Sequence, residues 1–62
     1  MFELFDEVKI INKNKTGIIV DVRETADGTI FEVESNTKGF DNDGYGGIWP
    51  VYTCKENEIE KI

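Results

Sequence analysis

The stretch Val8–Val22, with the sequence VKIINKNKTGIIVDV, contains two short segments rich in β-branched residues and a polar segment between them. Alternation of apolar and polar side chains along such segments is typical of half-buried β-strands. The intervening residues Asn12–Gly17 favour a turn and end in a glycine, which accepts a positive φ angle. We therefore expect an antiparallel β-hairpin that turns with the help of Gly17.

The alternation also indicates which side chains of the hairpin face the core. One face of each strand carries only apolar residues. They are Val8 and Ile10 in the first strand, and Ile18, Val20 and Val22 in the second.

A third strand is predicted directly after this hairpin. Asp27-Gly28 is a strong turn signal, and it leads into Thr29–Glu34. The phenylalanine and valine of that segment share one face, and its two glutamates share the other. The three strands are expected to form a meander with its apolar face inward.

The rest of the chain, residues 35–62, is less regular. Residues 35–48 are rich in glycine and lack periodicity, which predicts a long loop. Ile48–Thr53 regains β character, although Pro50 lacks an N–H and confines this strand to a sheet edge or a bulge. Thr53–Glu56 has capping-box spacing, which predicts one 3-10 turn through residues 55–57. Ile59–Ile62 then ends the chain as a short fifth strand.

Size and residue content limit the class of protein. The 62 residues form a single domain, residues 1–62, and so short a chain buries only about 60% of the surface that it exposes when unfolded. Cys54 is the only cysteine and histidine is absent, which excludes an internal disulfide and a cysteine–histidine zinc site. A lone thiol and an acidic opening segment predict a cytoplasmic protein. No apolar run reaches the roughly 20 residues that span a bilayer, so we expect no membrane association.

The charge balance narrows the choice of partner. Seven basic and 13 acidic residues give a formal net charge of −6, which repels a phosphate backbone and disfavours nucleic acid. The outward acids Glu32 and Glu34, with Asp21 or Glu24, form an acidic stripe in this interpretation. Such a stripe would attract a basic partner. Alternatively, the acids simply face solvent, as they do on the outer face of any soluble sheet.

The order of these motifs resembles that of the small bacterial SH3-like barrel domains of unknown function. The matching features are Phe5-Asp6, Val8 with Ile10, Gly17 with Ile18 and Val20, Phe31–Glu34, and Glu58–Glu60. The resemblance covers nearly the whole chain outside the glycine-rich loop. It implies an all-β, five-stranded SH3-like barrel, and it implies no activity because the members of that group are uncharacterised.

The stretch Val8–Val20 is also similar to a KOW motif, whose strand, basic loop and glycine occur in ribosomal and transcription-factor barrels that touch RNA. This resemblance implies that Lys13 and Lys15 lie in the loop that would contact nucleic acid. The alternative interpretation is a solvated turn whose lysines keep the sheet edge from further pairing.

Four aromatic residues lie in and beside the glycine-rich loop. They are Phe40, Tyr45, Trp49 and Tyr52. Aromatic rings bury much surface at little cost in side-chain entropy, so the four are the candidate partner-binding residues. Tyr45 is the best exposed candidate because glycines flank it on both sides. The alternative is that Phe40 and Trp49 cover the open end of the barrel while Tyr52 faces outward.

No catalytic, cofactor or metal site is predicted. Cys54 has no histidine to act as its base, which makes nucleophilic catalysis improbable. Asp41–Gly44 lacks acids at the later positions of a calcium-binding loop, so it is interpreted as a solvated turn. The chain is therefore not expected to be an enzyme.

These observations favour a non-catalytic protein-interaction module, such as a small accessory, antitoxin or immunity factor, whose partner is another protein. One alternative is a KOW-like nucleic-acid-binding domain that uses Lys13 and Lys15. The other is a structural homodimer in which a second copy completes the edge strand near Pro50 or Ile62.

Overall fold

The computed structural model describes all 62 residues and contains five strands and one 3-10 turn. The elements are β1 (Glu7–Ile10), β2 (Lys15–Thr25), β3 (Gly28–Ser35), β4 (Val51–Lys55), the 3-10 turn (Glu56–Glu58) and β5 (Ile59–Lys61). The predicted all-β fold, with a 3-10 turn before a short last strand, is confirmed. The chain forms no helix with the length and apolar character that crossing a membrane requires.

The five strands form one antiparallel sheet in the order β4-β3-β2-β1-β5. The hairpin between β1 and β2 is confirmed, and β5 returns to pair with the other side of β1. β4 and β5 form the two edges and do not pair with each other. Backbone pairing therefore leaves the sheet open.

The core lies on one face of the sheet. Its buried side chains are Val8, Ile10, Ile19, Phe31, Val33, Tyr52, Cys54 and Ile59. Phe2 packs against them, with its ring edge-on to Phe31 at a centroid distance of 5.5 Å. The apolar residues of β1 and β3 occupy the positions that alternation predicts, and their burial is the main favourable contribution to folding.

The first part of β2 buries the face opposite to the one expected, whereas Val22 packs against the core as predicted. Ile19 is fully buried, whereas Ile18 is 42% exposed and Val20 is 39% exposed. A β-bulge between Ile19 and Asp21 inserts Val20 as an extra residue against β3, and it turns Val22 back toward the core. Three consecutive β-branched residues carry no alternation, so the pattern alone assigned the wrong face.

Gly17 is needed for close strand packing and not for a turn, so the predicted turn role is wrong. It lies within β2 opposite Val8, and a Cβ at this position would lie 2.2 Å from the backbone oxygen of Glu34. The left-handed residue of the first turn is Asn14, with a φ of 53°. Asparagine tolerates this conformation better than most residues do.

The turn between β2 and β3 is the predicted one. Thr25 pairs with Gly28 across it, and Gly28 has a φ of 117°. The Thr25 hydroxyl donates to the Gly28 carbonyl at 2.7 Å, which fixes the end of the hairpin.

β4 is an edge strand, as predicted. It begins at Val51, directly after Pro50, and not at Ile48 as expected. The 3-10 turn follows β4, but the expectation that Thr53 caps it is wrong. Instead, the Lys55 backbone N–H donates to the Glu58 carboxylate at 2.7 Å, and the Thr53 hydroxyl bonds to Glu32 on the sheet. The turn itself begins one residue later than predicted, at Glu56.

Candidate functional site

The long loop between β3 and β4 is fastened beside the end of β3. The Ser35 N–H donates to the Pro50 carbonyl at 2.8 Å, and the Gly39 N–H donates to the Ile48 carbonyl at 2.8 Å. Trp49 lies between the two loop residues that accept these bonds. Its indole is therefore held next to the sheet although it is 41% exposed.

A groove of about 350 Å³ lies between this tryptophan and the outer face of the sheet. Its lining residues are Ile18, Glu34, Ser35, Asn36 and Trp49. We call it the Ile18–Trp49 groove, after its two apolar side chains. Its volume falls at the low end of ligand-binding pockets, which measure about 300–1,000 Å³.

Hydrogen bonds hold the polar wall of the Ile18–Trp49 groove. The Thr37 N–H donates to Ser35 Oγ at 3.0 Å, and the Thr16 hydroxyl donates to Asn36 Oδ1 at 2.9 Å. The Asn36 N–H also donates to the Thr16 carbonyl at 3.2 Å. These bonds join the wall to the start of β2, so the groove is preformed.

The structure does not bring the four predicted aromatic residues together. Trp49 lines the groove, Phe40 is 83% exposed, and Tyr45 packs over another part of the sheet. Tyr52 is fully buried in the core, so the expectation that it faces outward is wrong. The one aromatic pair in the chain joins Phe2 to Phe31, and no continuous aromatic platform exists.

Tyr52 instead fastens the loop from inside. Its hydroxyl donates to the Asp41 carboxylate, and burial followed by this hydrogen bond raises the pKa of Tyr52 to about 12. The same bond lowers the pKa of Asp41 below its ordinary value. The phenol therefore stays protonated and keeps donating over the whole neutral range.

The two lysines proposed for nucleic-acid contact differ in their surroundings. Lys13 Nζ lies 2.8 Å from the Asp43 carboxylate and 5.3 Å from the centre of the Tyr52 ring. The hydrogen bond with Asp43 raises the pKa of Lys13. Lys15 begins β2, is half-buried, and takes part in none of the chain's ion pairs. The first lysine thus anchors the loop and is not displayed as a solvated charge.

Glu32 was expected to face solvent, and this expectation is wrong. It is 6% exposed, and its carboxylate accepts from Arg23, from the Tyr45 hydroxyl at 3.0 Å and from the Thr53 hydroxyl at 2.8 Å. We call these four residues the Glu32 cluster. The bond to Glu32 raises the pKa of Tyr45. The predicted acidic stripe is therefore interrupted by a carboxylate that is already fully bonded.

The sheet edges bear on the homodimer alternative. On β4, the Val51 N–H and carbonyl are both bonded to the backbone of Tyr45, and the Lys55 N–H is bonded to Glu58. β5 is only three residues long, and Ile62 beside it is 69% exposed. The β4 edge is thus largely covered, whereas the β5 edge offers a short open template.

Cys54 lies in the core, where burial raises its thiol pKa to about 11. A buried, protonated thiol is a weak nucleophile. No group of three or more cysteine, aspartate or glutamate side chains is arranged to hold a metal ion.

Ile18 is the site residue that the sequence reasoning missed, because it was assigned to the core. The register of the first hairpin shows why Ile18 points outward. It pairs Val8 with Gly17, and since side chains alternate across a strand, the residue after Gly17 must point outward. Ser35 and Asn36 carried no pattern that distinguished them from other loop residues.

Comparison with known proteins gives no family assignment. No family model, no curated protein and no solved structure matches this chain. A functional hypothesis therefore depends on the geometry and charge of the surfaces described above.

Proposed function

We propose that this protein is a non-catalytic protein-interaction module that binds another protein through the Ile18–Trp49 groove. The observation that carries this proposal is the pairing of two large, half-exposed apolar side chains across a preformed groove. Burying apolar surface is favourable by about 25 cal/mol per Å². Tryptophan is also among the residues that contribute most to protein–protein binding.

The groove is suited to binding and not to catalysis. Ser35 carries its only hydroxyl, and that oxygen bonds to the Thr37 backbone. Nucleophilic catalysis by a serine needs a base within hydrogen-bond reach of the hydroxyl, and the Ser35 hydroxyl has no such partner. The carboxylate, amide and apolar groups of the lining offer recognition chemistry only.

Within this proposal, the fold is an SH3-like barrel and the protein is a cytoplasmic accessory, antitoxin or immunity-type factor. The five strands, their antiparallel order and the 3-10 turn before β5 support the barrel. The single reduced thiol supports a reducing compartment. The small size and the absence of a catalytic arrangement are typical of proteins that act by docking onto another protein.

The two alternative functions stay hypotheses with less support. A KOW-like nucleic-acid interface would use Lys13 and Lys15, of which only Lys15 is not already paired with a carboxylate. A homodimer would use the three-residue β5 edge, and light scattering at low concentration distinguishes it from a monomer.

The proposal is tested by affinity capture from an extract of the source cells, with the tagged protein as bait. We expect a partner that the wild-type protein retains and that Trp49→Ser and Ile18→Ser lose. Phe40→Ser is the matched control, because it also removes an exposed apolar side chain from the surface but does not line the groove. Circular dichroism melts of all three variants check that each remains folded.

The control variant should retain the partner at wild-type levels. A partner that binds Trp49→Ser and Ile18→Ser as strongly as the wild type would contradict the proposal. Loss of the partner in Phe40→Ser alone would place the interface on the loop and not in the groove.

A further inference from the structure

The apolar floor of the Ile18–Trp49 groove lies between two carboxylates. Ile18 pairs with Glu7 on β1 and with Glu34 on β3. Side chains directly opposite each other on neighbouring strands share a face, about 4.5–5.5 Å apart at Cβ. Both glutamates are exposed. The isoleucine is therefore flanked by negative charge on both sides.

Neither of these carboxylates has a basic partner within the chain. The four ion pairs join Lys13 to Asp43, Arg23 to Asp21 and Glu32, and Lys61 to Asp6. Glu7 and Glu34 take part in none of them, and neither side chain accepts a hydrogen bond. Two unpaired charges next to exposed apolar surface leave both kinds of interaction open to a partner.

The indole of Trp49 already has a cation over its face. Lys38 Nζ lies 5.8 Å from the centre of the ring, within the range in which a cation is attracted to an aromatic face. This lysine is exposed on the same loop and takes part in none of the chain's ion pairs. The aromatic wall and the two carboxylates thus favour the same chemical group.

We infer that the occupant of the Ile18–Trp49 groove is a protein segment in which an apolar side chain is flanked by lysine or arginine. The apolar side chain packs between Ile18 and Trp49. The flanking cations pair with Glu7 and Glu34, and one of them replaces Lys38 on the indole face. This inference rests on the proposed function and specifies the class of partner.

The charge of the whole chain supports a basic protein over the other classes of macromolecule. A net charge of −6 speeds the encounter with a positively charged surface and slows it with a polyanion. A phosphate backbone in this groove would lie against Glu34 and close to Glu7, which flanks Ile18. Nucleic acid is therefore an outcome that the test must exclude.

Trp49 is the only tryptophan, so its fluorescence reports directly on the groove. We would titrate three synthetic peptides of equal length, centred on Lys-Leu-Lys, Glu-Leu-Glu and Lys-Ser-Lys, and a single-stranded oligonucleotide. We expect the Lys-Leu-Lys peptide to bind about tenfold more tightly than either other peptide, because it alone offers both apolar burial and two ion pairs. Its affinity should fall as salt is added.

Charge reversal tests whether Glu7 and Glu34 determine the preference for the basic peptide. The double variant Glu7→Lys with Glu34→Lys should favour the Glu-Leu-Glu peptide instead. Glu24→Lys with Glu60→Lys is the matched control, because it changes the net charge equally but alters no groove residue. The control should keep the wild-type order of peptides.

Three results would overturn the inference. They are equal binding of the two leucine peptides, tighter binding of the oligonucleotide than of any peptide, and no fluorescence change with any probe. Each of these leaves the capture experiment to decide the proposed function. Capture that Trp49→Ser abolishes would then preserve an interaction module with a partner of different chemistry.

Discussion

Glu32 and Glu34 lie on the same face of β3, separated by one residue, and yet they have opposite surroundings. Glu32 is buried and accepts from Arg23, Tyr45 and Thr53. Glu34 is exposed, has no basic partner, and borders the Ile18–Trp49 groove. A carboxylate that is fully bonded within the chain acts on stability, whereas one left unpaired beside apolar surface is available to a partner.

The backbone accounts for the difference between the two glutamates. Opposite Glu32, β2 carries Asp21, and the bulge next to it brings Arg23 within reach. Opposite Glu34, β2 carries Ile18, which offers no charge. The β-bulge at Val20 thus separates the Glu32 cluster on the outer face from the region that we propose for binding.

Replacing Glu32 should have the largest effect on stability. Glu32→Ala removes the acceptor of Arg23, Tyr45 and Thr53. Because these three donors lie on exposed residues and regain water, each lost bond costs about 1 kcal/mol, so we expect a total loss of about 3 kcal/mol. The free energy of unfolding in urea measures it. Glu34→Ala, the matched control, should change that free energy by less than about 0.5 kcal/mol. Similar losses in the two variants would remove the distinction between the regions.

Replacing Gly17 should have the second largest effect, because the residue lies beneath the backbone of Glu34. A Cβ at this position meets the Glu34 carbonyl oxygen, and forced overpacking of this kind costs about 1–3 kcal/mol. Gly17→Ala should therefore lower the urea midpoint. Ile18→Ala is the control, since its side chain points outward and should alter the midpoint much less. A Gly17→Ala variant with wild-type stability would show that the two strands are not so close.

Removing a single donor of the Glu32 cluster, the Tyr45 hydroxyl, should have a smaller effect on stability. Tyr45→Phe removes one hydrogen bond to Glu32 but leaves the other donors in place, so we expect a loss of about 1 kcal/mol. The Tyr45 and Val51 amides each donate to the carbonyl of the other residue, and their hydrogen exchange should become faster. Unchanged exchange at both amides would mean that the hydroxyl does not hold the loop.

The smallest effect concerns acid stability. The hydrogen bond from Tyr52 lowers the pKa of Asp41 below its ordinary 3.8. A carboxyl with a lowered pKa stabilises the folded state above its unfolded pKa and loses that contribution as pH falls through the folded pKa. Unfolding midpoints measured from pH 5 downward should therefore fall less steeply in Asp41→Asn than in the wild type. Identical slopes would contradict the role of this bond.

Local chemistry was sufficient to predict most of the fold. The Asp27-Gly28 turn, the alternation of Phe31 with Val33, and the edge position required by Pro50 all appear in the structure. Each of these signals acts over a few residues. The 3-10 turn was found for the same reason, although a glutamate side chain and not Thr53 caps it.

The candidate site depended on longer-range features. Ile18 is exposed because the register of one hairpin and a bulge decide its face, and neither feature leaves a pattern within the stretch IIV. Tyr52 alternates with Cys54 on the core face of β4, and Asp41, eleven residues away, satisfies its hydroxyl there. Sequence reasoning named Trp49 as a candidate, and the structure places it on the groove, but the sequence did not identify Ile18 and Glu34 as its neighbours.

Titration of the Lys-Leu-Lys peptide into a matched pair of variants, Glu34→Gln and Glu32→Gln, compares the two glutamates under one readout. Trp49 fluorescence would be followed at a temperature at which both variants are folded. We expect Glu34→Gln to weaken binding several-fold, because an ion pair is lost, and Glu32→Gln to bind as the wild type does. Wild-type affinity in Glu34→Gln, or equal weakening in both variants, would contradict the assignment of the groove to partner binding and of the Glu32 cluster to stability.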